Sequence, residues 1–144
     1  MFDLISIGDA RIDNFVHLPA AHLSCTLNKE RCELCLNYGD KIPVDKILCL
    51  PAGNNNNNAV GAARLKMKTA LFCNVGDDGN GRMLLDHLKN EGVITRYMVV
   101  NKNIPTEQSI VLTYQGERTI LVYHYPWDYN LPDLERARWV YFSS

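Results

Sequence analysis

The sequence predicts an α/β fold, and three observations carry that expectation. Two apolar runs of strand length, Phe2 to Ile7 and Thr69 to Val75, each end in a glycine-aspartate turn. Between them an alanine-rich helical stretch, Ala59 to Leu65, follows Pro51-Ala52-Gly53 and five consecutive asparagines, Asn54 to Asn58. The second run leads into Gly76-Asp77-Asp78-Gly79-Asn80-Gly81. Glycines and polar side chains beyond the carboxyl ends of buried strands mark the ligand corner of open α/β sheets.

The whole chain sets bounds on what this corner serves. Its 144 residues suffice for one domain with a core, and 47% are hydrophobic and 22% charged. The formal net charge is −1, without the basic excess that draws a protein to nucleic acid. The N-terminus has no basic region before its short apolar run, so no signal peptide is expected. No apolar stretch is long enough to span a membrane, and a cytoplasmic protein is the expectation. Five cysteines, an odd number without a secretion signal, predict reduced thiols rather than a disulfide framework.

Taken in order, Phe2 to Ile7 reads as a buried parallel strand with Gly8-Asp9 as the turn beyond it. Asp9 and Asp13 fall where ligands bind, although each also reads as a solvated turn aspartate. Asn14 to Leu18 and Lys41 to Leu50 are strand-like, with Pro43 confining the second to an edge or a loop. The excursion between them carries His22, Cys25, Cys32 and Cys35. Cys32-x-x-Cys35 has metal-ligand spacing, and the four residues could complete a tetrahedral zinc site. A second Cys-x-x-Cys pair is missing, so incidental thiols in a loop are the preferred reading.

The first helix is expected to start around Asn56 to Asn58, with an asparagine side chain as its N-cap. Gly53 lets the backbone approach a ligand, and carboxamides offer both donors and acceptors to a polyhydroxylated one. Arg82 to Glu91 is an amphipathic helix closed by Gly92, and Ile94 to Val100 is a further strand candidate. Ser109 to Tyr114 and Thr119 to Tyr125 form a hairpin with apolar groups on both faces, which should cover something. Pro132 to Arg138 reads as a short helix and Trp139 to Phe142 as a buried strand. The chain ends at Ser144 directly after that strand, which is unusual for a complete α/β domain.

These residues resemble the N-terminal half of the ribokinase-like (PfkB) carbohydrate kinases. That family pairs Gly-Gly, three variable residues, Asn, one variable residue and Ala with a later Gly-x-Val-Gly-x-Asp-x-x-Gly. Here the first pattern is Ala52-Gly53, Asn54 to Asn56, Asn57, Asn58 and Ala59. The second is Cys73-Asn74-Val75-Gly76-Asp77-Asp78-Gly79-Asn80-Gly81. Ala52, Lys66 and Cys73 stand where the family has glycine. If position 66 needs a positive φ, Lys66 carries strain of about 1 kcal/mol.

The resemblance implies a mostly parallel sheet flanked by helices, with a small β lid from about 14–50 and 109–125. It implies ATP-dependent phosphorylation of a sugar or nucleoside hydroxyl, with Asp13, Gly53 and Asn57 holding the substrate. Asp77 and Asp78 look structural, capping the turn and the helix after it. The family's catalytic Gly-Ala-Gly-Asp motif is absent from this sequence, so no catalytic residue is assigned. ATP and Mg2+ would bind mainly outside this half, and the lid implies a possible homodimer. The alternative is a non-catalytic truncated module that binds a sugar or a partner. A third expectation is a small zinc protein using the four excursion residues.

Overall fold

The computed structural model describes residues 1–28 and 30–143. In chain order the elements are β1 (Phe2–Ile7), β2 (Arg11–His17), β3 (His22–Cys25), β4 (Cys32–Cys35), β5 (Lys46–Ala52) and α1 (Asn54–Arg64). There follow β6 (Thr69–Phe72), β7 (Asn74–Gly76), α2 (Gly79–Asn90), β8 (Val99–Asn101), β9 (Gln108–Tyr114), β10 (Glu117–Tyr123) and β11 (Ala137–Phe142). The chain divides into two compact units. Unit 1 comprises Met1–Ile12, Leu50–Gln108 and Tyr123–Ser144, and unit 2 comprises Asp13–Cys49 and Ser109–Val122.

Unit 1 is built on a parallel sheet of order β11-β1-β6. Its apolar residues alternate between two clusters, as the two-residue period of a strand requires. Ala70 and Phe72 pack with Phe2, Ile5 and Ile7. Leu71 and Cys73 pack with Ala59 and Val60 of α1 and Leu84 and Leu88 of α2. Full burial of side chains such as Phe2 and Phe72 contributes roughly 1.5–3 kcal/mol each. The α/β class expected from the sequence is what the chain adopts.

Several elements depart from expectation. α1 starts at Asn54, two residues early, and its N-cap is Gly53 without a side-chain cap bond. The φ of 101° at Gly53 starts the helix by backbone shape alone, and the asparagine side chains turn to other partners. The expected strand from Thr69 to Val75 divides at Cys73, so that β7 leaves the central sheet to pair with β8. Of the Ile94–Val100 candidate, only a bridge from Ile94 to Ala70 and the start of β8 form. Lys66 does have a positive φ, 67°, where its amide and that of Met67 close the helix onto Ala63 and Ala62.

The short helix expected from Pro132 to Arg138 does not form; residues 131–136 are irregular and β11 starts at Ala137. Seven residues are too few to offset helix nucleation without strong packing. β11 was expected to be buried, yet Trp139, Val140 and Phe142 are largely exposed. It is the edge strand of the sheet, paired on one side only, with β1.

Unit 2 holds most of the sheet of order β10-β9-β2-β5. β5 begins only after Pro43, as the missing N–H of proline requires. Gln115 and Gly116, at φ 50° and 84°, join β9 to β10 in a two-residue turn whose twist suits a hairpin. β10 is exposed along its whole length rather than covering anything. The excursion forms an antiparallel pair, β3 with β4, in which Cys25 opposes Cys32. These two form a disulfide, which corrects the expectation of reduced thiols; register brings them together where composition alone argued for free cysteines. No described helix is long and apolar enough to cross a membrane.

Candidate substrate-binding corner

The corner lies in unit 1, where β1 ends against the first turn of α1. Ser6 sits on the α1 side of the sheet and its hydroxyl donates to the Asn55 carbonyl at 3.1 Å. Asn55 returns its Nδ2 to the Ile7 carbonyl at 2.7 Å and to Ser6 Oγ at 3.1 Å. A side chain at Gly8 would collide with Asn55 and with the Ser143 carbonyl. One at Gly53 would sit 2.9 Å from the Asp9 carbonyl oxygen and 3.0 Å from the Ala10 Cα, at a φ that disfavours any side chain. Gly53 therefore keeps the turn after β1 pressed against the N-terminus of α1.

The asparagines divide their work. Asn55 and Asn56 are buried and Asn57 is exposed. Asn56 Nδ2 donates to Asn57 Oδ1 at 3.2 Å, which leaves the Asn57 amide nitrogen as the end available to a ligand acceptor. Asp9 Oδ1, Asn55 Oδ1, Asn56 Oδ1 and Asn58 Oδ1 are shielded from solvent and accept no hydrogen bond from the described residues. A shielded acceptor without a donor costs about 1–3 kcal/mol.

Beside them lies a buried ion cluster. Arg11 Nη2 stands 2.7 Å from Asp9 Oδ2 and 3.5 Å from Glu107 Oε2. Glu107 Oε1 also accepts from the Trp127 indole at 3.1 Å and the Tyr125 amide at 3.0 Å. His124 Nδ1 is 3.4 Å from Arg11 Nη2 and 3.5 Å from Glu107. Burial raises the pKa of Tyr129, and Glu107 and Asp9 raise it further against the opposing pull of Arg11. Burial, with help from Asp9, pushes the Cys73 thiol up to about 12, so it is an inert packing group. None of Arg11, Glu107, His124 or Trp127 stood out in the sequence. The one usable signal was Trp127, whose indole needs an acceptor once buried.

The second glycine turn of unit 1 is differently made. Asp78 caps α2 by accepting from Gly81 N at 2.8 Å. It also accepts from the Thr106 hydroxyl at 2.6 Å and the Thr106 amide at 2.8 Å. Thr106 Oγ1 in turn accepts from Gly76 N at 3.0 Å. Burial favours the protonated form of Asp78, but Thr106, Gly81 and Arg82 outweigh it and hold its pKa below the ordinary value. Asp77 is exposed and faces Arg82 at 3.6 Å.

Of the three expected substrate residues, Gly53 and Asn57 belong to this corner. Asp13 lies in unit 2 on β2, half-buried, with Oδ1 shielded and unpartnered among the described residues. The disulfide takes Cys25 and Cys32 out of the four zinc candidates, and the described residues contain no cluster able to hold a metal.

Residues 21–144 match the pfkB family carbohydrate kinases, and the chain belongs to that family. It is 40% identical over 83 residues to a fructokinase of Vibrio alginolyticus, which covers 56% of this chain and 27% of the relative. It is 34% identical over 73 residues to the ribokinase of Bacillus subtilis strain 168, covering 51% and 25%. The chain thus spans about a quarter of the length of these curated relatives. Among solved structures, a microbiome-derived acarbose kinase superposes with a TM-score of 0.75 at 23% identity, over 99% of this chain and 45% of that one. At that identity the likeness shows the fold.

Proposed function

We propose that this chain is the substrate-side portion of an ATP-dependent kinase that phosphorylates a hydroxyl of a sugar or nucleoside. The observation that carries the reading is the exposed Asn57 carboxamide, oriented by Asn56 beside the Gly53 turn, in a chain of the carbohydrate kinase family. Asp13, Gly53 and Asn57 are the proposed substrate residues. Asp13 accepts hydrogen bonds from substrate hydroxyls, Gly53 holds the backbone at the corner, and Asn57 donates through Nδ2. Residues 14–50 and 109–125 are the proposed lid. The sequence holds no Gly-Ala-Gly-Asp, so the catalytic base is proposed to lie outside this chain. ATP and Mg2+ are proposed to bind mainly through residues outside this chain. The proposed setting is the cytoplasm.

In the full-length protein encoded by the gene, Asn57→Ala is expected to raise KM for the sugar about tenfold or more, the loss of roughly one well-placed hydrogen bond. An unchanged KM for the true substrate sinks the assignment.

Support for a homodimer through the lid comes from the apolar groups that unit 2 exposes, Ile47, Ile110, Ile120, Leu121 and Val122. Isolated exposed apolar residues are ordinary, but a contiguous strand such as β10 invites pairing. Sedimentation equilibrium should return twice the monomer mass, and Leu121→Lys should return it to one. A wild-type monomer at micromolar concentration removes this partner.

A further inference from the structure

We propose that the Cys25–Cys32 pair on the β3–β4 hairpin is a reversible thiol–disulfide exchange site, and that its redox state sets how firmly the hairpin is closed. The proposal goes beyond the kinase reading and does not depend on it.

Access is the first observation that carries it. Cys25 and Cys32 are both exposed, and β3 is exposed along its whole length. Disulfides that thiols can reach are the labile and regulatory ones. Register is the second. Leu23 opposes Leu34, Ser24 opposes Glu33 and Cys25 opposes Cys32. Directly opposed residues of an antiparallel pair project from one face, with Cβ atoms about 4.5–5.5 Å apart. The hairpin is also closed without the sulfurs. The Thr26 amide donates to the Arg31 carbonyl at 2.9 Å, and the Arg31 amide donates to Thr26 Oγ1 at 3.2 Å. Reduced thiols at these two positions therefore stay facing each other, ready to pair again.

The other cysteines are placed differently. Cys35 opposes His22, and its odd spacing from Cys32 puts it on the other face of β4. Cys49 lies on β5, in a different sheet. Cys73 is fully buried in the core of unit 1. The exchange therefore calls for an external reductant, a low-molecular-weight thiol such as glutathione. Its thiolate attacks one sulfur of the pair. The S–S bond breaks, its electron pair leaves on the second sulfur, and that thiolate takes a proton from water. A second small thiol attacks the mixed disulfide, frees the remaining cysteine and departs as the oxidised dimer of the small thiol. Two small thiols are oxidised and one protein disulfide is reduced, so the electrons balance. The reverse sequence closes the cross-link. In the cytoplasm proposed above, protein disulfides are rare and those that form are mostly transient or redox-sensing.

Oxidised, the cross-link ties residues 7 positions apart. Reduced, the hairpin is held by exposed hydrogen bonds and the Leu23–Leu34 pair, and such bonds open locally at low cost.

The test equilibrates the full-length protein in glutathione buffers from fully oxidised to fully reduced. Free thiols are then tagged with N-ethylmaleimide before any denaturant is added, and the tags are mapped by mass spectrometry. Cys25 and Cys32 are expected to pass together from disulfide to tagged thiol within that range, and to return when oxidised glutathione is restored. Cys73 should stay untagged throughout and so report an intact fold. Trypsin nicking after Arg31 should rise at least threefold on reduction, and Cys25→Ser should show the higher rate in both buffers. A disulfide that survives fully reduced glutathione while Cys73 stays untagged overturns the proposal and makes the pair a permanent staple. Thiols that stay unpaired in fully oxidised glutathione overturn it as well. Equal nicking of the two states overturns the link between the pair and hairpin closure.

Discussion

Two glycine-aspartate turns of unit 1 end strands of similar apolar character, yet they are finished in opposite ways. At the turn after β7, both Asp78 oxygens are engaged and Thr106 ties the turn to the strand end. Around it only Asn74 Nδ2 is shielded and without a partner among the described residues. At the turn after β1 and the first turns of α1, four shielded acceptors have no donor among the described residues, beside a charged cluster. Unpaired buried acceptors are costly, and a fold keeps several together only where something else answers them. The satisfied turn has the bonding of scaffolding; the other lies where the substrate corner is proposed. Mutation should separate the two.

The largest effect is expected at the satisfied turn. Asp78→Ala removes a helix cap and two bonds to Thr106, for a loss of about 2 kcal/mol. The sign with pH follows from the lowered pKa of Asp78 in the folded state. Its stabilising contribution is complete above the unfolded aspartate value of about 3.9 and is lost as pH falls through the lower folded value. Thermal midpoints of wild type and Asp78→Ala should therefore differ at pH 7 and converge toward pH 3. A gap of equal size at both pH values would mean that the Asp78 charge contributes nothing to the turn.

The contrast between the turns was only half legible in the sequence. Strand β1 and the C-terminal glycine of α2 follow from local rules, the capping role of Asp78 and the positive φ at Lys66 from the family motif, and all are present. The family motif proposes the corner through Gly53 and Asn57. What local rules missed depends on register and packing. The five asparagines look alike on paper, but α1 buries Asn55 and Asn56 and exposes Asn57. Glu107 lies 96 residues from Arg11 in sequence and meets it only through the fold. The Cys25–Cys32 pairing depends on a hairpin register that composition could not reveal.

The smallest stability effect, and the sharpest for the contrast, is expected at Asn56. Its Oδ1 has no donor and its Nδ2 serves only Asn57 among the described residues. Asn56→Ala deletes an unanswered acceptor together with one neutral hydrogen bond, and these roughly cancel, leaving stability within about 0.5 kcal/mol of wild type. Binding should not be spared. With Asn56 gone, the Asn57 carboxamide is free to rotate, and ordering it again costs several-fold in sugar affinity. Thermal midpoint and sugar Kd of the full-length protein, measured side by side, read the two effects separately. If Asn56→Ala lowers stability as much as Asp78→Ala and leaves Kd unchanged, the open carboxamides are scaffolding too, and the two turns differ in appearance only.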